Sequence, residues 1–213
     1  MKLERFALGA LWTNGYLLYD GSGTGFFVDP GGDPEEVISA IEDKRIRLEY
    51  ILLTHGHADH IAGVGKLRVK AGRGVLIHRD DASMLFSPEY NLSAFVGERL
   101  SAAPAEGVFS DGDVFPIGDI SVKIIHTPGH TRGSSCFLVE EAGGSPILLS
   151  GDTLFAGGVG RSDLPGGDER VLLASLEKLK DLPDNMKVFP GHGPGTTIGE
   201  ERRSNPFWPG GTS

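Results

Sequence analysis

"YILLTHGHADH", Tyr50 to His60, is the stretch on which the reading of the fold turns. An apolar run of strand character ends at Leu53. Seven residues follow that hold three histidines and an aspartate, in a chain with seven histidines in all. A buried strand would deliver His55 to its end, where the chain leaves the sheet and side chains can converge. His55 and His57 lie two apart, which in extended chain puts both imidazoles on one side. Asp59 and His60 then open a helix and approach the same point from another direction. Imidazole with carboxylate is a ligand set suited to zinc, manganese or iron.

The same grammar recurs further along the chain. "VKIIHTPGH" ends with His130, "PILLSGD" with Asp152 and "KVFPGH" with His192, each an apolar strand followed by a glycine-containing turn. Packing does not demand that four strand ends bring His or Asp to one edge, whereas α/β proteins place their sites at the carboxyl ends of strands. His55, His57, Asp59, His60, His130, Asp152 and His192 are therefore the candidate metal ligands. One histidine after one strand would be an ordinary polar loop residue; the whole constellation is not. His78, which ends "GVLIH", and His126, which ends "VKIIH", fall outside the pattern and are assigned structural hydrogen-bonding roles, with His126 a candidate to support the ligands from behind.

Around these motifs the strands are short, aliphatic and bounded by Gly, Pro or Asp: "YLLYD" and "GFFVD" about the turn "GSGTG", then "YILLT", "GVLIH", "VKIIH", "CFLVE", "PILLS" and "KVFP". Two segments have helical periodicity. In "GDPEEVISAIEDKRI", Asp33 is the expected cap, Pro34 suits the first position, and Val37, Ile38 and Ile41 form an apolar face. In "DERVLLASLEKLKDL", Leu172, Leu176 and Leu179 share one side. This alternation predicts an α/β architecture with helices covering mixed sheets. A length of 213 residues suits one large domain, 1–213. Gly97 to Gly112, rich in Ala, Ser, Pro and Gly, is expected to be a long loop or the seam between two halves.

A net charge of −9 and a pI near 5.2 argue against nucleic acid or an anionic membrane as partner, because the long-range field repels both. The N-terminus alternates apolar with polar residues and lacks the continuous apolar centre of a signal peptide, and no run reaches membrane-spanning length; a cytoplasmic protein is expected. Cys136, the single cysteine, lies in "SSCFLV" and reads as a buried core thiol. "GSGTG" joins two strands without opening a helix, and "GHGPGTT" lacks a lysine, so neither reads as a phosphate cradle.

"THGHADH" is similar to the THxHxDH signature of the metallo-β-lactamase superfamily, and "TPGHT", "SGDTLF" and "FPGHG" follow in the family's order. The resemblance extends over nearly the whole chain, to the terminal "GEERRSNPF". It implies a four-layer αββα sandwich with mixed sheets and metals at one edge. His55, His57 and His130 would hold one ion and Asp59, His60 and His192 a second, with Asp152 bridging. The implied cofactors are two divalent ions, zinc foremost and iron or manganese as alternatives, which share a hydroxide made available near neutral pH.

Within the superfamily, "GDTLFAGGVGRSDLPGGD" resembles the short bacterial glyoxalase II (hydroxyacylglutathione hydrolase) proteins. This implies hydrolysis of a small-molecule thioester by the shared hydroxide, with Asp59 orienting the nucleophile and helping to move its proton. Arg161 would either anchor the substrate or brace the loop by pairing with Asp163 or Asp168. β-Lactamases of this fold typically lack the aspartate found at Asp152, so antibiotic hydrolysis is not expected. The C-terminal helical domain of longer glyoxalase II enzymes has no counterpart after His192. The alternatives are an iron-dependent persulfide dioxygenase using His55, His57 and Asp152 as a facial triad, or a non-catalytic metal-binding module.

Overall fold

The structure, a computed structural model, describes residues 1–210; the remainder of the expected 1–213 domain, residues 211–213, lies outside the described residues. The chain begins with β1 (Lys2–Leu8), β2 (Thr13–Tyr19), β3 (Thr24–Val28), α1 (Glu35–Asp43) and β4 (Arg47–Leu53). Two short helices, α2 (Ala58–Ile61) and α3 (Val64–Leu67), lead to β5 (Val75–His78) and β6 (Gly107–Phe109). The second half starts with β7 (Val114–Ile117), β8 (Ile120–His126), β9 (Ser135–Glu141) and β10 (Ile147–Gly151). It closes with the small hairpin β11 (Leu154–Phe155) and β12 (Gly158–Val159), then α4 (Glu169–Leu176), β13 (Lys187–Pro190), β14 (Thr196–Thr197) and α5 (Ile198–Ser204).

Two six-stranded sheets result. The first has the order β1-β2-β3-β4-β5-β6, antiparallel up to β3 and parallel beyond it. The second has the order β14-β13-β10-β9-β8-β7, antiparallel except where β10 meets β13. Successive side chains of a strand point to opposite faces, and this alternation sorts the apolar residues into three clusters. Leu17, Phe27, Ile51 and Leu53 pack with Val37 and Ile41 of α1 on the outer face of the first sheet. Leu18, Phe26 and Leu52 pack with Phe137, Val139 and Leu149 between the sheets. Cys136 and Leu148 pack with Leu176 and Ile198 beneath the helices on the far side of the second sheet. Helix, sheet, sheet and helix therefore stack as the four layers expected. Each such side chain stabilises the fold by about 1.5–3 kcal/mol when fully buried.

Every strand read from the sequence is present. The strands not foreseen, β1, β6, β7, β14 and the β11–β12 hairpin, lie at or near sheet edges or form a two-residue ribbon, where apolar patterning is weak. β7 even contains Pro116, which an edge strand tolerates because no ladder hydrogen bond is lost. Gly97 to Gly112 does carry the chain from one sheet to the other, but Gly107–Phe109 within it is strand β6, paired with β5. Asp33 does not cap α1. It lies one residue before the cap position, held by Pro34, and its carboxylate meets Lys66 Nζ at 3.0 Å. Asp168 does cap α4, accepting from the Val171 amide at 3.1 Å, and a 3₁₀ turn extends the apolar stripe to Leu179. Cys136 is buried, and burial pushes its thiol up to about 11.

After α5 the chain folds back on itself. Asn205 donates to the Gly158 carbonyl at 3.0 Å and to Glu201 Oε2 at 2.8 Å, and Trp208 enters the cluster around Leu176 and Ile198. Large buried aromatics cost about 3–5 kcal/mol when cut to alanine. Trp208→Ala is expected to lose about 3 kcal/mol in urea unfolding; a loss below about 1 kcal/mol would show that this tail packs only loosely.

Candidate metal centre

The carboxyl ends of β3, β4, β8, β10 and β13 carry the residues that assemble the site. Beyond β4, the amide and hydroxyl of buried Thr54 donate to Asp29 Oδ1 and Oδ2 at 2.8 and 2.6 Å, tying this turn to the end of β3. Gly56 donates its amide to Asp81 Oδ2 at 3.1 Å. The same buried carboxylate accepts from Thr131 Oγ1 at 2.6 Å and from the Gly133 amide at 2.7 Å, so it joins the Thr54–His60 turn to the turn after β8. Beyond β13, a Cβ on Gly191 would collide with the Asp152 carboxylate and the His60 ring, which explains a glycine immediately before His192.

All seven expected ligands meet here. His130 Nε2 lies 3.3 Å from His55 Nε2 and 2.9 Å from His57 Nδ1. His192 Nε2 lies 3.3 Å from His60 Nε2 and 3.1 Å from Asp59 Oδ2. Asp152 stands between these two groups, its Oδ2 3.5 Å from His130 Nε2 and 3.6 Å from His192 Nε2 and its Oδ1 3.4 Å from His60 Nε2. Ligand atoms around a tetrahedral ion stand about 3.3 Å apart.

The tautomers follow from the outer ring nitrogens. His130 Nδ1 donates to the Arg161 carbonyl at 2.7 Å, His192 Nδ1 to the Leu11 carbonyl at 3.2 Å, and His60 Nδ1 to Asp29 Oδ2 at 2.9 Å. His55 Nδ1 donates to Thr54 Oγ1 at 3.1 Å, since that hydroxyl's own proton is committed to Asp29. Each Nε2 therefore turns a lone pair inward. Such outer-nitrogen bonds fix a metal-binding imidazole and raise its basicity. Lone pairs that face one another beside carboxylates are favourable only around positive charge, and buried Asp152 Oδ1 has no hydrogen-bond donor of its own. The residues fit divalent metal ions.

Without a cation the electrostatics show the same demand. Burial holds His55 well below its ordinary value and His57 at about 3, and neighbouring imidazoles add to both effects. For His60 burial acts in the same direction, but Asp152, Asp59 and Asp29 outweigh it and push the group up to about 10. Burial raises Asp59, yet the charges of His60 and His192 hold it well below the usual carboxylate range. A proton on His60 thus occupies the position that a cation would take.

Arg161 makes the pairing that the bracing role expects. Its exposed guanidinium pairs with Asp163 in bidentate fashion at 2.8 and 2.9 Å, while its carbonyl orients His130. Asp29, Asp81 and that carbonyl are the functional groups missed in the sequence. Asp29 alone had a signal, because "GFFVD" ends in the same strand-then-aspartate manner as "PILLSGD". His78 and His126 stack on each other with ring centroids 3.9 Å apart and planes 11° from parallel, and His126 Nε2 meets the Arg132 carbonyl at 2.9 Å. One ligand atom each of His78, Asp80 and His126 lies within 4.8 Å of the others, but in rings only 11° from parallel the in-plane lone pairs run side by side and do not point at a common ion.

Two outcomes are expected. Asp29→Asn removes the charge behind His60 and should weaken metal affinity about 10–100-fold in competition with a chromophoric chelator. Metal uptake at pH 7 should release the His60 proton, visible as a buffer-dependent heat in calorimetry, and apparent affinity should rise with pH until His60 is neutral near pH 10. A heat that does not depend on the buffer would remove the protonated His60 from this account.

A profile described as the metallo-beta-lactamase superfamily matches residues 9–192. The chain is 42% identical to an uncharacterised protein of Mycobacterium tuberculosis, with 99% of each chain covered. It is 36% identical to the probable metallo-hydrolase YqgX of Bacillus subtilis, with 97% of each covered. It is 34% identical to the hydroxyacylglutathione hydrolase GloC of Haemophilus influenzae, covering 97% of this chain and 98% of the relative. Among solved structures, the BLEG-1 B3 metallo-beta-lactamase superposes with a TM-score of 0.91 at 37% identity, covering 98% of this chain and 100% of that one. TTHA1623 in a di-iron-bound form gives 0.82 at 36%, covering 96% and 99%. ETHE1 from Myxococcus xanthus gives 0.74 at 27%, covering 97% and 84%. The profile match takes in most of the chain and all seven clustered residues, and the chain belongs to the metallo-beta-lactamase superfamily.

Proposed function

We propose that this protein is a metal-dependent thioesterase that cleaves hydroxyacylglutathione-type thioesters at a dinuclear centre. The observation that carries the proposal is the place of Asp152, with Oδ2 at 3.5 Å from one histidine group and 3.6 Å from the other. His55, His57 and His130 would hold one ion, Asp59, His60 and His192 the other, and Asp152 both. Two divalent cations held there would supply a water acidic enough to be deprotonated near pH 7 and a Lewis acid for the carbonyl under attack.

The chain's own groups do the rest. Asp59 Oδ2 receives the Thr13 hydroxyl at 3.3 Å and faces His192. A carboxylate held that acidic is a weak proton acceptor, so its larger part is to orient the nucleophile. A thiol such as that of glutathione has an ordinary pKa of about 8.5, so the thiolate leaves without a dedicated acid. Arg161 would meet a substrate carboxylate by releasing Asp163. The name of the Haemophilus influenzae relative supports the substrate class. A cytoplasmic setting and a small-molecule substrate accompany this reading; among the described residues no helix is long and apolar enough to cross a membrane.

A second reading is an iron-dependent persulfide dioxygenase. His55, His57 and Asp152 would be its facial triad, and ETHE1 shares the fold. The assembled Asp59–His60–His192 group favours the hydrolase.

The test is thiol release from S-lactoylglutathione by metal-loaded protein. A kcat/KM above about 10⁴ M⁻¹s⁻¹ is expected, with both activity and metal content lost in Asp152→Ala. Negligible turnover by folded, metal-loaded protein would overturn the proposal; oxygen uptake with glutathione persulfide would then support the dioxygenase, and cleavage of a β-lactam would support the activity named for BLEG-1. Cys136→Ala should retain thioester turnover, because that thiol is buried among Leu148, Leu176 and Ile198 and its hydrogen bonds reach Thr127 and Ser150, neither a candidate ligand.

A further inference from the structure

The β11–β12 hairpin has two paired residues on each arm, too few to hold its own position, since isolated two-stranded hairpins are marginal in water. Both of its ends nevertheless bear on the metal centre. The chain enters it just after Asp152 and leaves it through Gly160, where a Cβ would collide with the Asp152 carbonyl and crowd His130 Nδ1. Arg161 comes next, and its carbonyl is the acceptor that orients His130, at 2.7 Å. A displacement of about 1 Å would take that carbonyl out of hydrogen-bond range.

The hairpin is held by residues of α5 and the tail behind it. Glu201 Oε2 accepts from the Gly157 amide at the hairpin tip and from Asn205 Nδ2, both at 2.8 Å, while its Oε1 accepts from Thr196 Oγ1 at 2.6 Å. The Asn205 amide also donates to the Gly158 carbonyl at 3.0 Å. Val159 adds apolar contact with the cluster around Leu176 and Ile198. Glu201 is 2% exposed, and its partners are these three neutral donors. An apolar side chain would give the tail its cohesion without the desolvation cost of a buried carboxylate. What the carboxylate adds is direction, because hydrogen bonds fix where the hairpin tip lies and apolar contact leaves slack. Both residues belong to "GEERRSNPF", a stretch that contributes no candidate ligand.

We propose that Glu201 and Asn205 are positioning residues: by clamping the β11–β12 hairpin they set the Arg161 carbonyl against His130, and so govern the metal affinity of the His55, His57 and His130 group from a helix that supplies no ligand. The inference goes beyond the thioesterase reading and concerns the centre whatever reaction it performs. Losing the support behind a ligating histidine lowers metal affinity about 10–100-fold.

Two readouts on zinc-loaded protein test it. In proton and nitrogen NMR of the imidazoles, the Nδ1–H of His130, bonded to Arg161, and that of His60, bonded to Asp29, should each give a protected resonance. In Glu201→Ala the His130 resonance should broaden or vanish while that of His60 remains. One class of Zn²⁺ affinity, measured against a chromophoric chelator, should fall about 10–100-fold while the other is kept. Glu201→Gln should keep both readouts, because its carbonyl oxygen can accept from Gly157 and its amide can donate to Thr196. Ile41→Ala, a truncation on the outer face of the first sheet, should lower the urea midpoint and leave both readouts unchanged. If Glu201→Ala does not fold, Asn205→Ala, which removes the bond to the Gly158 carbonyl, is read in the same way. A wild-type His130 resonance and Zn²⁺ affinity in the folded variant would overturn the clamp. So would parallel loss of the His130 and His60 resonances, or the same changes in Ile41→Ala, since either marks a general loosening. No substrate enters these readouts, so absent thioester turnover would overturn the thioesterase and leave the clamp standing.

Discussion

Inward-facing imidazole lone pairs beside two carboxylates cannot coexist in a buried space unless positive charge lies among them, and the rest of this structure is arranged to keep them there. His55, His60, His130 and His192 are each held by an outer hydrogen bond to an oxygen, so none can turn its Nε2 away without stranding a proton donor. Asp152 bears on both histidine groups. When no cation is present a proton on His60 serves in its place. The site is a demand for charge built into the fold.

The sandwich makes that demand sustainable. Two sheets packed through Phe26, Leu52, Phe137 and Leu149 present strand ends along one edge, and the turns leaving those ends carry the candidate ligands. Those turns are irregular backbone that would otherwise wander, and the buried carboxylates of Asp29 and Asp81 fasten them. Asp29 binds the turn after β4 and the ring of His60 together. Asp81 binds the turns of the two sheets to each other. Burial raises the Asp81 carboxyl while its donors oppose the shift, so its ionisation depends on the turns staying in place. Support for the site and cohesion between the sheets are in this respect the same hydrogen bonds.

The patterning along the chain made the inner strands legible because each holds an aliphatic run, buried on both faces where the neighbours Leu17 and Leu18, or Ile51 and Leu52, lie. Edge strands such as β6 and β14 were not legible, since two or three residues become strand only when a neighbour offers its ladder. Asp33 shows the limit for local signals: a residue of capping type stood near a helix start, and one position of displacement gave it to Lys66 instead. Arg161 shows it for the site, because its backbone carbonyl, which no side-chain pattern can report, is what orients His130.

The list of candidate ligands was itself legible in the sequence. A metal site needs particular atoms, only a few residue types supply them, and seven such residues placed after apolar runs and turns form a pattern with no packing explanation. What only tertiary structure decided is which atom of each residue faces inward, that Asp152 lies between the two groups, and that Asp29 and Asp81 support them. Those relations join residues 25 and 50 positions apart through a few ångströms of space. Distance in space and orientation of a ring are properties of the packed sheets, and a linear pattern carries neither.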